Sequence, residues 1–165
     1  MGLANKNLLY ESSFVGLAVA PQSIASAATV NGATIAAPWL KGRNISFIIL
    51  GGAMGATTSL QVKVQQQKIS DSSWVNMTRK DAATVLEFPA ADLDDAQALE
   101  GGALLGTLDC SDIDGTTYKA IRLVVIENGG GANTVLFGAA YVITDPYSHP
   151  TGQVDKLHLL QRYAP

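Results

Sequence analysis

The chain has 165 residues and a mass of 17.2 kDa, the size of one domain, and it can bury roughly 70% of its unfolded surface without a disulfide or a metal. Hydrophobic residues make up 47% and charged residues only 15%, against about 25% charged in an average domain, which excludes a disordered chain and disfavours a solitary monomer. Eleven Lys and Arg against fourteen Asp and Glu leave a net charge of -3, which argues against nucleic acid as the main partner, because phosphate binding is carried by clustered cations.

Residues 1–21 are polar at Asn5, Lys6 and Asn7, then weakly apolar, and close at Pro21. No strong period runs through them, so they read as an arm or an edge strand whose apolar side chains find a partner on another chain. Ala18-Val19-Ala20 resembles a signal-peptidase site, but Lys6 is offset by Glu11 and no positive n-region precedes it. Lys6 also stands where a myristoylation signal needs Ser or Thr.

From Gln22 the texture is that of an all-β domain. Ser23 to Ala27 alternates, Asn31-Gly32 is a turn dipeptide, and a short element over 33–40 is broken by Pro38. Ile45 to Leu50 (ISFIIL) is almost continuously apolar, the pattern of a strand buried on both faces. Leu60 to Gln65 alternates at period two, so Leu60, Val62 and Val64 face a core. After the turn Ser70–Ser73, the returning strand starts at Trp74, which reads as a core residue.

Val85 to Phe88 is a candidate strand stopped by Pro89, the acidic stretch 91–100 a helical turn or loop, and Ala103 to Leu108 a further strand. Tyr118 to Ile126 is rich in β-branched residues, with Ile121, Leu123 and Val125 on the core face and Val124 opposite. Gly129-Gly130-Gly131 makes a hairpin connection to the last strand, Val135 to Thr144, ended by Asp145-Pro146. About eight strands without βαβ alternation predict a sandwich or barrel. The expected organisation is an arm over 1–21, a β-sandwich over 22–146 and a C-terminal tail over 147–165.

No constellation assembles an enzyme. Cys110 is the only cysteine, which excludes an intrachain disulfide and a CxxC knuckle, and reads as a small buried hydrophobe. Asp109, Asp112, Asp114 and Gly115 evoke a calcium loop, yet that register places Cys110 and Ile121 at ligand positions, leaving a solvated acidic turn. Asp92, Asp94 and Asp95 read as a wet face rather than an acid–base pair. His149 and His158 both lie in the tail, and no G-x-S-x-G or P-loop occurs. No cofactor or metal is expected, and no apolar run approaches the ~20 residues that span a bilayer. Asn44-Ile45-Ser46 and Asn76-Met77-Thr78 match the glycosylation pattern, which carries little weight without a secretory route.

The segment from about Ser59 to Pro150 resembles the β-sandwich head decoration, or cement, proteins of tailed bacteriophages. The likeness is carried by the hairpin Leu60-Gln61-Val62-Lys63-Val64-Gln65 and Asp71-Ser72-Ser73-Trp74-Val75-Asn76, and by the late pair Tyr118 to Val125 and Phe137 to Pro146. The chain departs from that pattern in lacking Asp-Gly in the first turn and in a longer, more acidic segment over 80–114.

The resemblance implies a jelly-roll-like antiparallel sandwich on the outer surface of the virion, non-enzymatic, binding the major capsid protein and itself as a homodimer or homotrimer. Low charge suits a subunit whose edges are buried by neighbours. The expected contact residues are Leu8, Leu9, Tyr10 and Phe14 in the arm, and Tyr147, Leu157, Leu160 and Tyr163 in the tail. Alternative roles are a head–tail connector, collar or tail component, or a carbohydrate-binding module for host adsorption. That last role calls for an exposed aromatic platform, which Trp74, read as core, does not supply.

Overall fold

The computed structural model describes residues 14–25, 27–54, 58–78, 84–89, 93, 102–128 and 134–144. They form nine strands: β1 (Phe14–Ala25), β2 (Thr29–Asn31), β3 (Ile35–Ala36), β4 (Asn44–Met54), β5 (Leu60–Lys68), β6 (Trp74–Asn76), β7 (Ala103–Asp109), β8 (Tyr118–Glu127) and β9 (Thr134–Thr144). Every strand pair is antiparallel. One sheet has the order β1-β9-β4-β7 and the other β2-β8-β5-β6, with β3 beside β8.

This order is that of a jelly roll. With β2 and β3 taken as one interrupted strand, the chain is a long hairpin whose two arms pair β1 with β9, β2 and β3 with β8, β4 with β7, and β5 with β6. Rolling that hairpin adds the pairs β4·β9 and β5·β8, which close the two sheets.

The interval between the sheets is filled by alternate residues. Ile45, Phe47, Ile49, Phe137, Ala139 and Ile143 from the first sheet meet Leu60, Val62, Val64, Ile121, Leu123 and Val125 from the second, all buried. The alternation expected of β5 and β8 is therefore the one observed. Val124 points the other way, as expected, but is only 4% exposed, because β8 is a central strand with Lys63 and Asn31 as its cross-strand neighbours there.

Three expectations are corrected. ISFIIL is buried on one face only: Ile45, Phe47 and Ile49 point inward, while Ile48 is half-buried and Leu50 exposed. Trp74 is not core. It pairs with Gln67, whose side chain is out of phase with Leu60, Val62 and Val64, so the indole lies half-buried on the outer face. Of residues 1–21, expected as an arm or an edge strand apart from the sandwich, 14–21 are the edge strand and belong to the sandwich, making β1 of the first sheet with 22–25. Two register shifts let β1 bury both Ala18 and Val19, and an edge strand tolerates Pro21.

The crossing from the first sheet to the second is fixed by Glu127. Its Oε2 accepts the Ala27 N–H at 2.6 Å, holding the left-handed Ala27 (φ 57°) in the turn between β1 and β2. Glu127 is only 1% exposed. A carboxylate this deep is retained because it bonds backbone that would otherwise be unpaired.

Candidate functional site

The outer face of the first sheet is apolar across its centre, with a polar row of Thr144, Asn44 and Asp109 at one edge. Its strand register aligns outward residues in rows that cross all four strands. One row runs Leu17–Ala140–Ile48–Leu105 and the next Val15–Val142–Ser46–Thr107. A third holds Gly138, Leu50 and Ala103, with Pro21 packed over Gly138. Leu136 extends the surface beside Gly52.

Of the six large apolar side chains that stand exposed among the described residues, Val15 (59%), Leu17 (56%), Leu136 (52%) and Leu50 (50%) lie on this face, while Leu40 (74%) and Ile69 (50%) lie away from it. Its central polar pair, Ser46 Oγ and Thr107 Oγ1, share a hydrogen bond of 2.9 Å. With strands about 4.8 Å apart and outward rows about 6.8 Å apart, the face covers on the order of 400 Å². Patches of that size on soluble proteins are commonly contact sites.

The outer face of the second sheet has the opposite character. Gln61, Gln65 and Gln67 line β5, alternating with the core residues. Arg122 lies over the Trp74 ring at 4.2 Å and donates from Nε and Nη2 to Gln65 Oε1 at 3.0 and 2.8 Å. Gln65 Nε2 in turn donates to Asn76 Oδ1 at 3.1 Å, and Gln61 Nε2 to Glu87 Oε2 at 2.8 Å.

The acidic turn ahead of β8 is a folded device. Asp109 Oδ1 accepts the Ser111 N–H at 2.8 Å, capping the 3₁₀ turn Cys110–Asp112. Asp114 accepts from the Thr116 hydroxyl at 2.6 Å and from its N–H at 2.9 Å. The Thr116 hydroxyl first, then the Thr117 hydroxyl and the Thr116 N–H, hold its carboxyl down at about 2. A cavity of about 250 Å³ opens beside this turn between Gln66, Met77, Leu108, Asp112, Asp114 and Tyr118. Asp114 stays an anion there at neutral pH and is no proton donor.

Cys110 is buried as expected. Burial, then the neighbouring charge of Asp109, pushes its thiol up to about 12, which removes the thiolate a nucleophile needs. Among the described residues no group of three His, Cys, Asp or Glu is placed to hold a metal ion.

Of the expected contact residues, Phe14 begins β1, opposite Ile143. Leu8, Leu9, Tyr10, Tyr147, Leu157, Leu160 and Tyr163 lie outside the described residues, as do Asp92, Asp94, Asp95, His149 and His158. Sequence reasoning missed both sheet faces. The signal for the first was present in the apolar residues of ISFIIL at the phase opposite to the core.

No family model matches the chain, and no curated protein matches it in sequence. Among solved structures, it is similar to the infectious bursal disease virus VP2 subviral particle, with a TM-score of 0.54 and 11% identity over 81% of this chain and 32% of that one. It is also similar to the structure of infectious bursal disease virus Gx strain, with a TM-score of 0.50 and 14% identity over 84% of this chain and 34% of that one. The chain thus spans about a third of the length of these structures. The likeness is one of fold: the sandwich is of the type found in proteins of a virus particle.

Proposed function

We propose that the protein is a structural component of a virion, a decoration or cement protein that docks on the outer surface of a shell built from the major capsid protein. The observation that carries this reading is the apolar centre of the outer face of the first sheet. A jelly roll exposing such a face gains free energy by covering it, and covering it requires no chemistry.

The magnitude indicates what else takes part. A stable interface buries about 800 Å² per partner, and the sheet face offers about half of that. The remainder falls to the apolar residues of the two chain ends, Leu8, Leu9, Tyr10 and Phe14 on one side and Tyr147, Leu157, Leu160 and Tyr163 on the other. Phe14 and Ile143, opposite each other in the register, bring both ends to one corner of this sheet. Away from the shell, homo-oligomerisation as a dimer or trimer covers the same face between copies.

Co-sedimentation with shells assembled from the major capsid protein tests the reading. Full-length protein is expected to bind saturably, and a chain lacking residues 2–13, which leaves β1 intact, to bind more weakly. Absence of the full-length protein from sedimented shells refutes a decoration role; localisation to one vertex assigns it to the connector, collar or tail instead.

A further inference from the structure

The group around Trp74 serves neither the core nor the apolar face. Arg122, Gln65 and Asn76 stand in one register row across β8, β5 and β6, and Gln65 holds the guanidinium at its Nε and Nη2 while anchoring itself on Asn76. A planar cation is thereby fixed over one face of a planar ring, 4.2 Å from its centre.

Among the described residues this cation meets no anion. Its partners among the described residues are a neutral amide oxygen and an aromatic ring, while Glu87 on the same face accepts from Gln61. Arg122 is partly withdrawn from water, which lowers its pKa, so a carboxylate reaching it would meet a charge that is poorly solvated and still unneutralised.

The capacity left over is nearly all of one kind. A guanidinium has five N–H donors, and Gln65 uses one at Nε and one at Nη2. The Asn76 amide nitrogen and the Trp74 indole N–H add further donors. Donors around a cation that is itself backed by an aromatic ring complement a sugar with hydroxyls to accept and a carboxylate for the guanidinium N–H groups that Gln65 leaves free. A protein contact would instead place such anchors within an apolar patch; here the surroundings are Gln61, Lys63 and Gln67.

We propose that Trp74, Arg122, Gln65 and Asn76 form a binding site for an acidic saccharide, a pyranose bearing a carboxylate. The site lies on the side of the sandwich opposite the apolar face, so both can be occupied at once, and it does not depend on the virion reading. Lectin domains built on the same architecture make a sheet face a feasible location.

The test uses the full-length chain with Trp39→Phe, leaving Trp74 as the one indole, and titrates trigalacturonate, sialyllactose and neutral maltotriose. At least one acidic probe should shift the Trp74 indole signal and the amides of Gln65, Asn76 and Arg122 at ~10 mM or below. Maltotriose should bind at least about tenfold more weakly. Arg122→Lys keeps the charge but loses the fork, and should weaken the acidic probe about tenfold. Asn76→Ala, an exposed change, should weaken it several-fold while leaving the melting temperature unchanged.

Silence of these signals toward both acidic probes overturns the proposal, as does equal binding of maltotriose or undiminished binding by both variants. If the same signals respond only to capsid protein, the face is a protein contact and the saccharide site is wrong.

Discussion

Leu123→Ala and Leu136→Ala delete the same atoms from the interior and from the outer surface of the sandwich, and the difference between them measures the architecture. Leu123 is fully buried on β8, opposite Val64, with its carbonyl accepting the Gly32 N–H at 2.9 Å. Removing the equivalent of three methylenes forfeits about 2.4 kcal/mol of transfer free energy. A residual cavity of ~60 Å³, at about 24 cal/mol per Å³, adds roughly 1.5 kcal/mol.

The expected loss is therefore about 4 kcal/mol, or a fall of about 8–16 °C in melting temperature for a domain of this size. Leu136 is 52% exposed and leaves no closed cavity, so its loss is about 1 kcal/mol. Urea unfolding followed by tryptophan fluorescence reads both values, with the slope m unchanged for each. Equal losses, or a larger one for Leu136, would refute the assignment of these residues to inner and outer faces.

Gly32→Ala should destabilise by about 1–3 kcal/mol in the same assay, because a Cβ there would meet the Ala18 carbonyl from β1 and lie 2.9 Å from the Leu123 carbonyl of β8. Cys110 should resist a thiol reagent at pH 8 in the native protein and react at once in denaturant. Since its folded pKa is raised from 9.0 to about 12, the unfolded thiol ionises first, and the stability it contributes below 9.0 is lost as pH rises through that interval. Asp114 has a folded pKa depressed from 3.8 to about 2, so its contribution is present above 3.8 and lost as pH falls toward 2. Thr116→Ala should return its carboxyl titration, followed by NMR, toward 3.8.

The sandwich was legible where local pattern and burial agree. Leu60, Val62 and Val64 alternate with Gln61, Lys63 and Gln65, and one buried face is the arrangement that satisfies both sets. ISFIIL misled for a physical reason. Apolar residues at both phases signal burial on both faces within one chain, whereas here Ile48 and Leu50 belong to a face that the fold leaves uncovered.

Trp74 misled through register. Its phase depends on how the turn Ser70–Ser73 spends its residues, with Ser72 in the left-handed region at φ 59°, and a shift of one residue exchanges inside for outside. The Arg122–Gln65–Asn76 row joins residues from three strands, so no local stretch of sequence holds it. The β1 edge was obscured by its two register shifts and Pro21, which erase the period of two.

The contact role of the apolar face is tested most directly by the solution mass of the purified chain, measured by light scattering alone and with capsid shells. Leu17 and Leu136 are each more than half exposed, so Leu17→Lys with Leu136→Lys should leave fold and melting temperature intact while placing two charges on the face. The parent should be a homo-oligomer that decorates shells, and the double variant a monomer that does not. A parent that stays a monodisperse monomer at high concentration and leaves shells bare, or a double variant that associates as the parent does, would contradict the account.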